Sequence, residues 1–240
     1  MKDWLRKEAI LPEIELGDRL VPIALRRMKR AKRLTLRLAP DGSEVRITLP
    51  AWAHNKEAIA FAHSRREWLA GQLDRIPARS APQPGGELLF RGQPCKIDWS
   101  ETAPRQPTIA GDKVVIGGPA SALEKRLKSW LERKALKLFQ DDVAEYCEQA
   151  DLDCARVALS RAQKRWGSCS DQKRIRLNWR LVQAPDYVRR SVVSHEVAHL
   201  VHFDHSPAFY ALLEHIYEGD IKAADRWLKK NGRTLYSSFG

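Results

Sequence analysis

Four of the seven histidines lie within eleven residues, and this cluster constrains the chain more than any other feature. Pro185 and Asp186 predict a helix start, because proline suits the first turn and an acid favours the positive end of the helix dipole. Over residues 185–202, His195 and His199 then differ by about 40° around the axis and about 6 Å along it. Apolar residues form the opposite stripe: Val193, Val197, Leu200 and Val201. The sequence therefore predicts histidines on one side of a packed helix, where two imidazoles can reach one ion.

Glu196 lies about 100° around that helix from His195, beside the ligand face. Zinc takes neutral nitrogen ligands at about 2.0–2.1 Å, and catalytic sites leave its fourth position to water. From beside the site, the Glu196 carboxylate can take a proton from that water and pass it to a leaving amine. This is the His-Glu-x-x-His arrangement of metallopeptidases, so the sequence predicts a zinc-dependent enzyme that hydrolyses peptide bonds.

Three candidates compete for the third ligand position. If the helix continues, His202 lies about 10 Å along the axis from His195, too far to share one ion. His205 requires the chain to leave the helix and fold back, and the spacing then matches His-Glu-x-x-His-x-x-Gly-x-x-His, with His202 in place of glycine. A carboxylate from the next helix, Glu214 or Glu218, is the other candidate. We expect His205, with Glu214 as the alternative.

The remainder of the chain predicts an α+β protein with two regions. Residues 1–118 read as a β-rich accessory region with one helix over about residues 55–73, and residues 119–240 as the catalytic domain. A segment rich in proline, glycine and serine, residues 76–86, is the best internal linker. A long helix is expected over about residues 119–150, and two short ones over residues 207–216 and 221–230. Further strands are expected over residues 20–25, 33–38, 45–49, 88–90, 95–99, 113–116, 157–160 and 174–179.

The segment around Trp166 allows two interpretations. Residues 166–170 are either a loop beside the cleft that leads into an edge strand over residues 174–178, on which an extended peptide could pair, or a turn with a core tryptophan. Cys169 could approach the metal, although a buried free thiol is the commoner case. Side chains that could stabilise the oxyanion of peptide hydrolysis are Arg165, Tyr210 and His215.

The charge of the chain, +12 with a pI near 9.7, predicts attraction to polyanions. Cations concentrate around the first predicted hairpin: Arg26, Arg27, Lys29, Arg30, Lys32, Arg33 and Arg37. Nucleic acid is thus a candidate partner beside the polypeptide substrate, and an exposed strand face with solubilising charges is the milder interpretation. No segment predicts a membrane span or a secretory signal, and four scattered cysteines suit a reducing compartment, so we expect a cytoplasmic protein.

Several motifs together resemble the YgjP-like metallopeptidases, bacterial and archaeal proteins related to the SprT-like and WLM zinc peptidases. The shared residues are Arg165-Trp166-Gly167-Ser168-Cys169-Ser170, Ile175-x-Leu177-Asn178, Tyr187-Val188, His195-Glu196-Val197-Ala198-His199-Leu200 and Asp204-His205-Ser206-x-x-Phe209, and weaker similarity extends to the first hairpin and the Trp68 helix. The resemblance implies a zincin-like catalytic fold with zinc ligands at His195, His199 and His205 and a catalytic glutamate at Glu196. It leaves the physiological substrate open.

Two other functions compete with a general peptidase. The related SprT-like and WLM enzymes act on proteins attached to nucleic acid, and the basic charge favours such a setting here. A non-catalytic binding module with a structural zinc is the third hypothesis. Structural zinc sites are usually closed by four protein ligands, whereas this sequence offers three and a well-placed base.

Overall fold

The computed structural model describes residues 12–76 and 80–239, which belong to two compact units, residues 1–78 and 79–240. Both units combine strands with helices, which confirms the α+β class. The predicted linker, residues 76–86, spans the boundary between the units, and its residues 77–79 lie outside the described part. In the described ranges, no helix is both long enough and apolar enough to cross a bilayer.

The first unit contains a four-stranded sheet of β1 (Glu13–Leu16), β2 (Arg19–Arg27), β3 (Thr35–Leu38) and β4 (Val45–Leu49). The strand order is β1-β2-β4-β3, and the sequence did not predict β1. Strands β3 and β4 form the expected antiparallel hairpin. Its turn requires Gly42, whose φ of 72° lies in the left-handed region.

Two helices cover the inner face of this sheet, α1 (Asn55–Ser64) and α2 (Arg66–Leu73), where the sequence predicted one. The break lies at Arg65, whose φ of −111° and ψ of 17° are outside the helical region. Its N–H donates to the carbonyl of Ala62, so the regular helical ladder is interrupted there. The helices bury Ala58, Ala62, Leu69 and Leu73 against the inner strand residues.

The second unit begins with a four-stranded sheet of β5 (Glu87–Phe90), β6 (Gln93–Ser100), β7 (Thr108–Ala110) and β8 (Lys113–Gly117). Its order is β5-β6-β8-β7, so the short β7, which the sequence did not predict, lies at an edge. The long helix α3 (Leu123–Gln149) follows after a 3-10 turn over Ala120–Ala122.

The sheet of residues 87–117 and helix α3 share one hydrophobic core. Ile97 and Ile116 of the sheet belong to the same buried cluster as Leu127 and Leu131 of α3. The domain boundary predicted between residues 118 and 119 therefore falls inside the second unit. The apolar face of a sheet must be buried against another element, and here α3 packs against it.

A smaller three-stranded sheet follows, made of β9 (Arg156–Ser160), β10 (Gly167–Cys169) and β11 (Arg174–Asn178). Its order is β10-β11-β9, which corrects the expectation that residues 174–178 form an edge strand. Strand β11 is central because it pairs with β9 on one side and with β10 on the other, so β10 is an edge strand of this sheet. The chain ends with helices α4 (Asp186–Ala198), α5 (Pro207–Ile216) and α6 (Ile221–Asn231).

Candidate metal centre

Helix α4 begins at Asp186 as predicted, but it ends at Ala198 rather than near residue 202. His199 is the C-cap residue, with φ of −68° and ψ of −12°. The next two amides, of Leu200 and Val201, bond to carbonyls only three residues back, so the last turn is tightened. Because the helix ends here, the chain can turn back toward the side that carries His195.

The segment after this turn is held by local side-chain hydrogen bonds. The amide of Ser206 donates to Asp204 Oδ1 at 3.4 Å, and Ser206 Oγ accepts from the amide of Phe209, also at 3.4 Å. Ser206 is thus the N-cap of α5, and Pro207 occupies the first turn, where its missing N–H costs nothing. These caps set the start of α5 directly after His205.

Three imidazoles converge at this place. His195, His199 and His205 each offer a ligand atom, and these atoms lie within 4.8 Å of one another. The Nε2 atom of His195 is 3.1 Å from Nε2 of His199 and 3.3 Å from Nε2 of His205. Tetrahedral coordination at zinc–nitrogen distances of 2.0–2.1 Å separates ligand nitrogens by about 3.4 Å. The spacing of the three rings therefore fits one tetrahedral ion.

Neighbouring groups orient these rings. His199 Nδ1 donates to the carbonyl of His202 at 2.8 Å, which leaves Nε2 without a proton and able to bind a cation. The fully buried ring of Phe209 on α5 lies 5.0, 4.6 and 4.9 Å, centroid to centroid, from the rings of His195, His199 and His205. One aromatic platform thus packs beneath all three imidazoles.

The other sequence candidates lie outside this cluster. Within the described residues, the group of potential ligands contains neither His202 nor Cys169, and neither of the two glutamates considered. Glu218 is engaged elsewhere, because it accepts from Arg190 at 2.6 Å and from the Tyr146 hydroxyl at 2.9 Å. Glu214 is exposed on α5. Of the candidates for the third ligand, His205 is the one that the structure brings beside His195 and His199.

Burial and the neighbouring imidazoles favour the neutral form of His195. Desolvation, followed by the nearby His199 and His205, lowers the pKa of His195 to about 4. A neutral imidazole keeps the lone pair that a metal ion needs. The local environment therefore favours cation binding over protonation at neutral pH.

Glu196 lies beside the cluster in a tight site. Its side chain is buried, with 6% exposure, and this burial raises its pKa to about 7, while the charge of Arg165 opposes the shift. Strand β10 closes one side: a Cβ built on Gly167 would lie 2.3 Å from Glu196 Oε1. The carboxylate is thus packed against backbone that has no side chain.

The cluster opens into a cavity of 680 Å³ between β10, α4, α5 and α6. His195, Glu196 and His205 line it, as do Arg165 and Tyr210. The described lining does not include His215, the third residue considered for the oxyanion. A space of this size at the histidines can admit part of an extended substrate.

A buried ion pair fixes the other side of α4. Arg189 donates to Asp142 of α3 at 2.7 Å, and both side chains are at most 6% exposed. Desolvation raises the pKa of Asp142 although Arg189 and Arg190 act against the shift. Without Arg189, the buried carboxylate of Asp142 would keep only the longer contact with Arg190, at 3.5 Å, so the Arg189–Asp142 pair ties the histidine helix to α3.

Two residues of the site were not assigned a role from the sequence. Gly167 and Phe209 both occur in the motifs that carry the family resemblance. From the local sequence pattern, however, Gly167 is only a turn residue and Phe209 only a core residue. Their functions depend on contacts across the fold, with Glu196 and with the three histidines. Sequence spacing does not reveal such contacts.

Comparisons with known proteins identify the family of the chain. A family model described as YgjP-like, metallopeptidase domain, matches residues 32–231. Among solved structures, the metallopeptidase zymogen of Pyrococcus abyssi abylysin is similar, with 20% sequence identity and a TM-score of 0.36. That match covers 40% of this chain and 96% of the abylysin chain. No curated protein matches the sequence.

Proposed function

The chain belongs to the YgjP-like metallopeptidase family, and we propose that it is a zinc-dependent peptidase with Glu196 as its general base. The metal ligands in this proposal are His195, His199 and His205, and the second unit contains a zincin-like catalytic domain. The observation that carries the proposal is the convergence of three imidazole nitrogens beside a buried carboxylate.

The donor set fits zinc better than a harder cation. It consists of three nitrogen atoms, with no carboxylate or thiolate among the described ligand atoms of the cluster. Calcium and magnesium prefer oxygen ligands, whereas three imidazoles with an open position are typical of catalytic zinc. The three-residue set also argues against a structural zinc module, which would use a fourth protein ligand.

When bound, zinc polarises the scissile carbonyl and makes the attacking water more acidic. The residues of the chain supply the proton transfers. The side chain of Glu196, which extends from α4 toward β10, is held beside the ligand atoms. There it accepts a proton from the attacking water and delivers it to the departing amine. Burial raises its pKa to about 7, which suits both acceptance and donation near neutral pH.

Two substitutions separate metal binding from proton transfer. We expect Glu196→Gln to retain zinc and to lose turnover by orders of magnitude, because the amide has the same size but cannot accept the proton. His199→Ala should lose the metal, since a ligand and its bond to the His202 carbonyl are both removed.

The experiment measures bound metal by mass spectrometry and cleavage of fluorescein-labelled casein for each variant. His202→Ala is the matched control, because that histidine lies outside the cluster and the substitution keeps the backbone carbonyl that accepts from His199. Normal casein hydrolysis by Glu196→Gln would contradict the role of Glu196. Full zinc content in His199→Ala would contradict the ligand set.

We place this activity in the cytoplasm. The four cysteines are all free thiols, and two of them are buried. Unpaired cysteines are typical of reducing compartments, which supports the assignment.

A further inference from the structure

A groove in the second unit, distant in the fold from the histidines, carries the strongest unassigned feature. It lies between residues 105–110 and the first half of α3, and it consists of two cavities of 490 Å³ each. Gln106, Pro107 and Arg133 line both cavities, so they adjoin. Six cations line the groove: Arg105, Lys125, Arg126, Arg133, Lys134 and Lys137. The described lining contains no aspartate or glutamate.

The sequence of α3 explains this concentration of charge. Residues 123–137 contain six cations and two acids. Positions 126, 130, 133 and 137 follow the i, i+4, i+7, i+11 spacing of one helix face, and Lys125 to Lys137 spans about 18 Å. The opposite face is apolar and buried, with Leu127 and Leu131 in the core. Five of these six cations line the groove, and the sixth, Lys128, lies over the ring of Trp179.

Two acids near this stripe pair with one lining cation, Lys137, and with Arg161, which lies outside the lining. Glu132 accepts from Arg161 at 3.0 Å, and Asp141 pairs with Lys137 at 2.6 Å. Arg126 donates to the backbone carbonyls of Gly117 and Pro119, which fix its guanidinium without neutralising it. The groove is consequently a preformed positive surface.

Trp130 provides a second, independent observation. It lines the groove and is 2% exposed, and its indole Nε1 is buried without a hydrogen-bond partner among the described residues. Buried N–H groups in native proteins nearly always have an acceptor. The wall of the groove thus contains a buried N–H donor that the fold itself does not use.

We propose that this groove binds the phosphate backbone of nucleic acid. Six cations with no acid in the lining match a polyanion, and a stripe of about 18 Å over two adjoining cavities suits a polymer better than one phosphate. The buried Trp130 presents no open ring face for base stacking, so recognition is through phosphates and independent of base sequence.

This assignment differs from the one that the sequence suggested. Residues 19–40 of the first unit contain eight cations and no acid, and the sequence placed nucleic-acid contact there. Of those cations, Arg27 is committed to structure, since it donates to the carbonyls of Pro50, Ala51 and Ala53. The α3 groove, by contrast, is concave and has cations along its whole lining. The two locations can be separated by experiment.

The test measures fluorescence anisotropy of labelled oligothymidylate and of a labelled mixed-sequence duplex with the full-length protein, at about 50 mM and about 200 mM salt. The groove variant is R133E/K134E, and the matched control is R30E/K32E, with the same charge change at equally exposed positions. Polyglutamate is the competitor that tests for a general anion site. Binding does not require an active metal centre, so failure here is distinct from failure of the proposed peptidase activity.

We expect the wild type to bind with a steep salt dependence, and R133E/K134E to weaken binding at least about tenfold more than R30E/K32E. The slope of log affinity against log salt should fall by about two in the groove variant. The proposal would be overturned by absence of binding at low salt, or by a loss of affinity in R30E/K32E that equals or exceeds the loss in R133E/K134E. It would also be overturned if polyglutamate competed for the groove as effectively as nucleic acid does. If charge reversal lowers the melting temperature, the affinities of the neutral variants R133Q/K134Q and R30Q/K32Q are compared instead, and the same outcomes apply.

Discussion

Gly167→Ala adds one methyl group against the carboxylate of Glu196, and we expect it to impair catalysis without removing the metal. The added Cβ would lie 2.3 Å from Glu196 Oε1, 2.6 Å from Cγ and 2.7 Å from Cδ. Ordinary contact begins near 3.4 Å, so the carboxylate must move by about 1 Å. Gly167 does not have a positive φ, so alanine can adopt its backbone conformation.

A displacement of this size has a large kinetic effect but a small effect on the ligands. Misplacing a reacting group by about 1 Å can reduce the rate about a hundredfold, which corresponds to about 2.7 kcal/mol of activation free energy. The three imidazoles contact the ring of Phe209, and His199 also bonds to the carbonyl of His202, so none of these contacts involves Gly167. Zinc content should therefore stay at the wild-type level.

The assay compares kcat and KM for a quenched fluorescent peptide with bound zinc and the melting temperature. Gly71→Ala is the matched control, because a Cβ there meets no atom within 4 Å and alanine favours the helix. We expect kcat to fall in Gly167→Ala alone, with KM nearly unchanged. Wild-type kcat in Gly167→Ala would refute the argument that this glycine positions Glu196, and loss of zinc would show that the strand supports the ligands instead.

Three further predictions concern the surroundings of the site. Phe209→Ala should destabilise the protein by about 3–5 kcal/mol and weaken zinc binding, measured by chemical denaturation with and without added metal; an unchanged zinc affinity would contradict the platform role. Arg189→Ala should destabilise the protein by up to about 3–5 kcal/mol, because the buried carboxylate of Asp142 then keeps only the longer contact with Arg190, at 3.5 Å. Burial raises the pKa of Asp142, so its carboxyl group binds a proton more tightly in the folded state than in the unfolded state. The free energy of unfolding therefore falls as the pH rises above the ordinary pKa of an aspartate. The loss in Arg189→Ala should consequently be larger at neutral than at acidic pH, and equal losses would contradict this. Burial raises the pKa of Cys169 to about 11, so iodoacetamide should label it slowly at neutral pH, and Cys169→Ser should keep full zinc content.

Much of the secondary structure near the site could be predicted from local signals. The start of α4 at Asp186 follows from Pro185 and the acid after it, and α5 and α6 were expected within one residue of their observed bounds. The sequence did not predict the strands β10, β7 and β1, each of which is only three or four residues long. Such short strands are defined by pairing with a neighbour rather than by their own pattern.

The choice among the ligand candidates shows where local signals end. Extending α4 to residue 202 is consistent with helical spacing, and within that helix His202 shares the face of His195. The observed end at Ala198 depends on the tightened turn and on the bond from His199 to the His202 carbonyl. These contacts form only when the chain folds back, so spacing left Glu214 and His205 both open.

Read alone, the amino-acid order determined the pair of histidines on one helical face, the glutamate beside them, and the excess of positive charge, because each depends on neighbours within a few residues. Only the tertiary structure decided that His205 joins the pair, that Gly167 and Phe209 enclose the site, and that the concave basic surface lies along α3. These features arise where segments far apart in the chain come into contact. Such contacts depend on how the buried faces pack together, and no periodicity in a single segment encodes that packing.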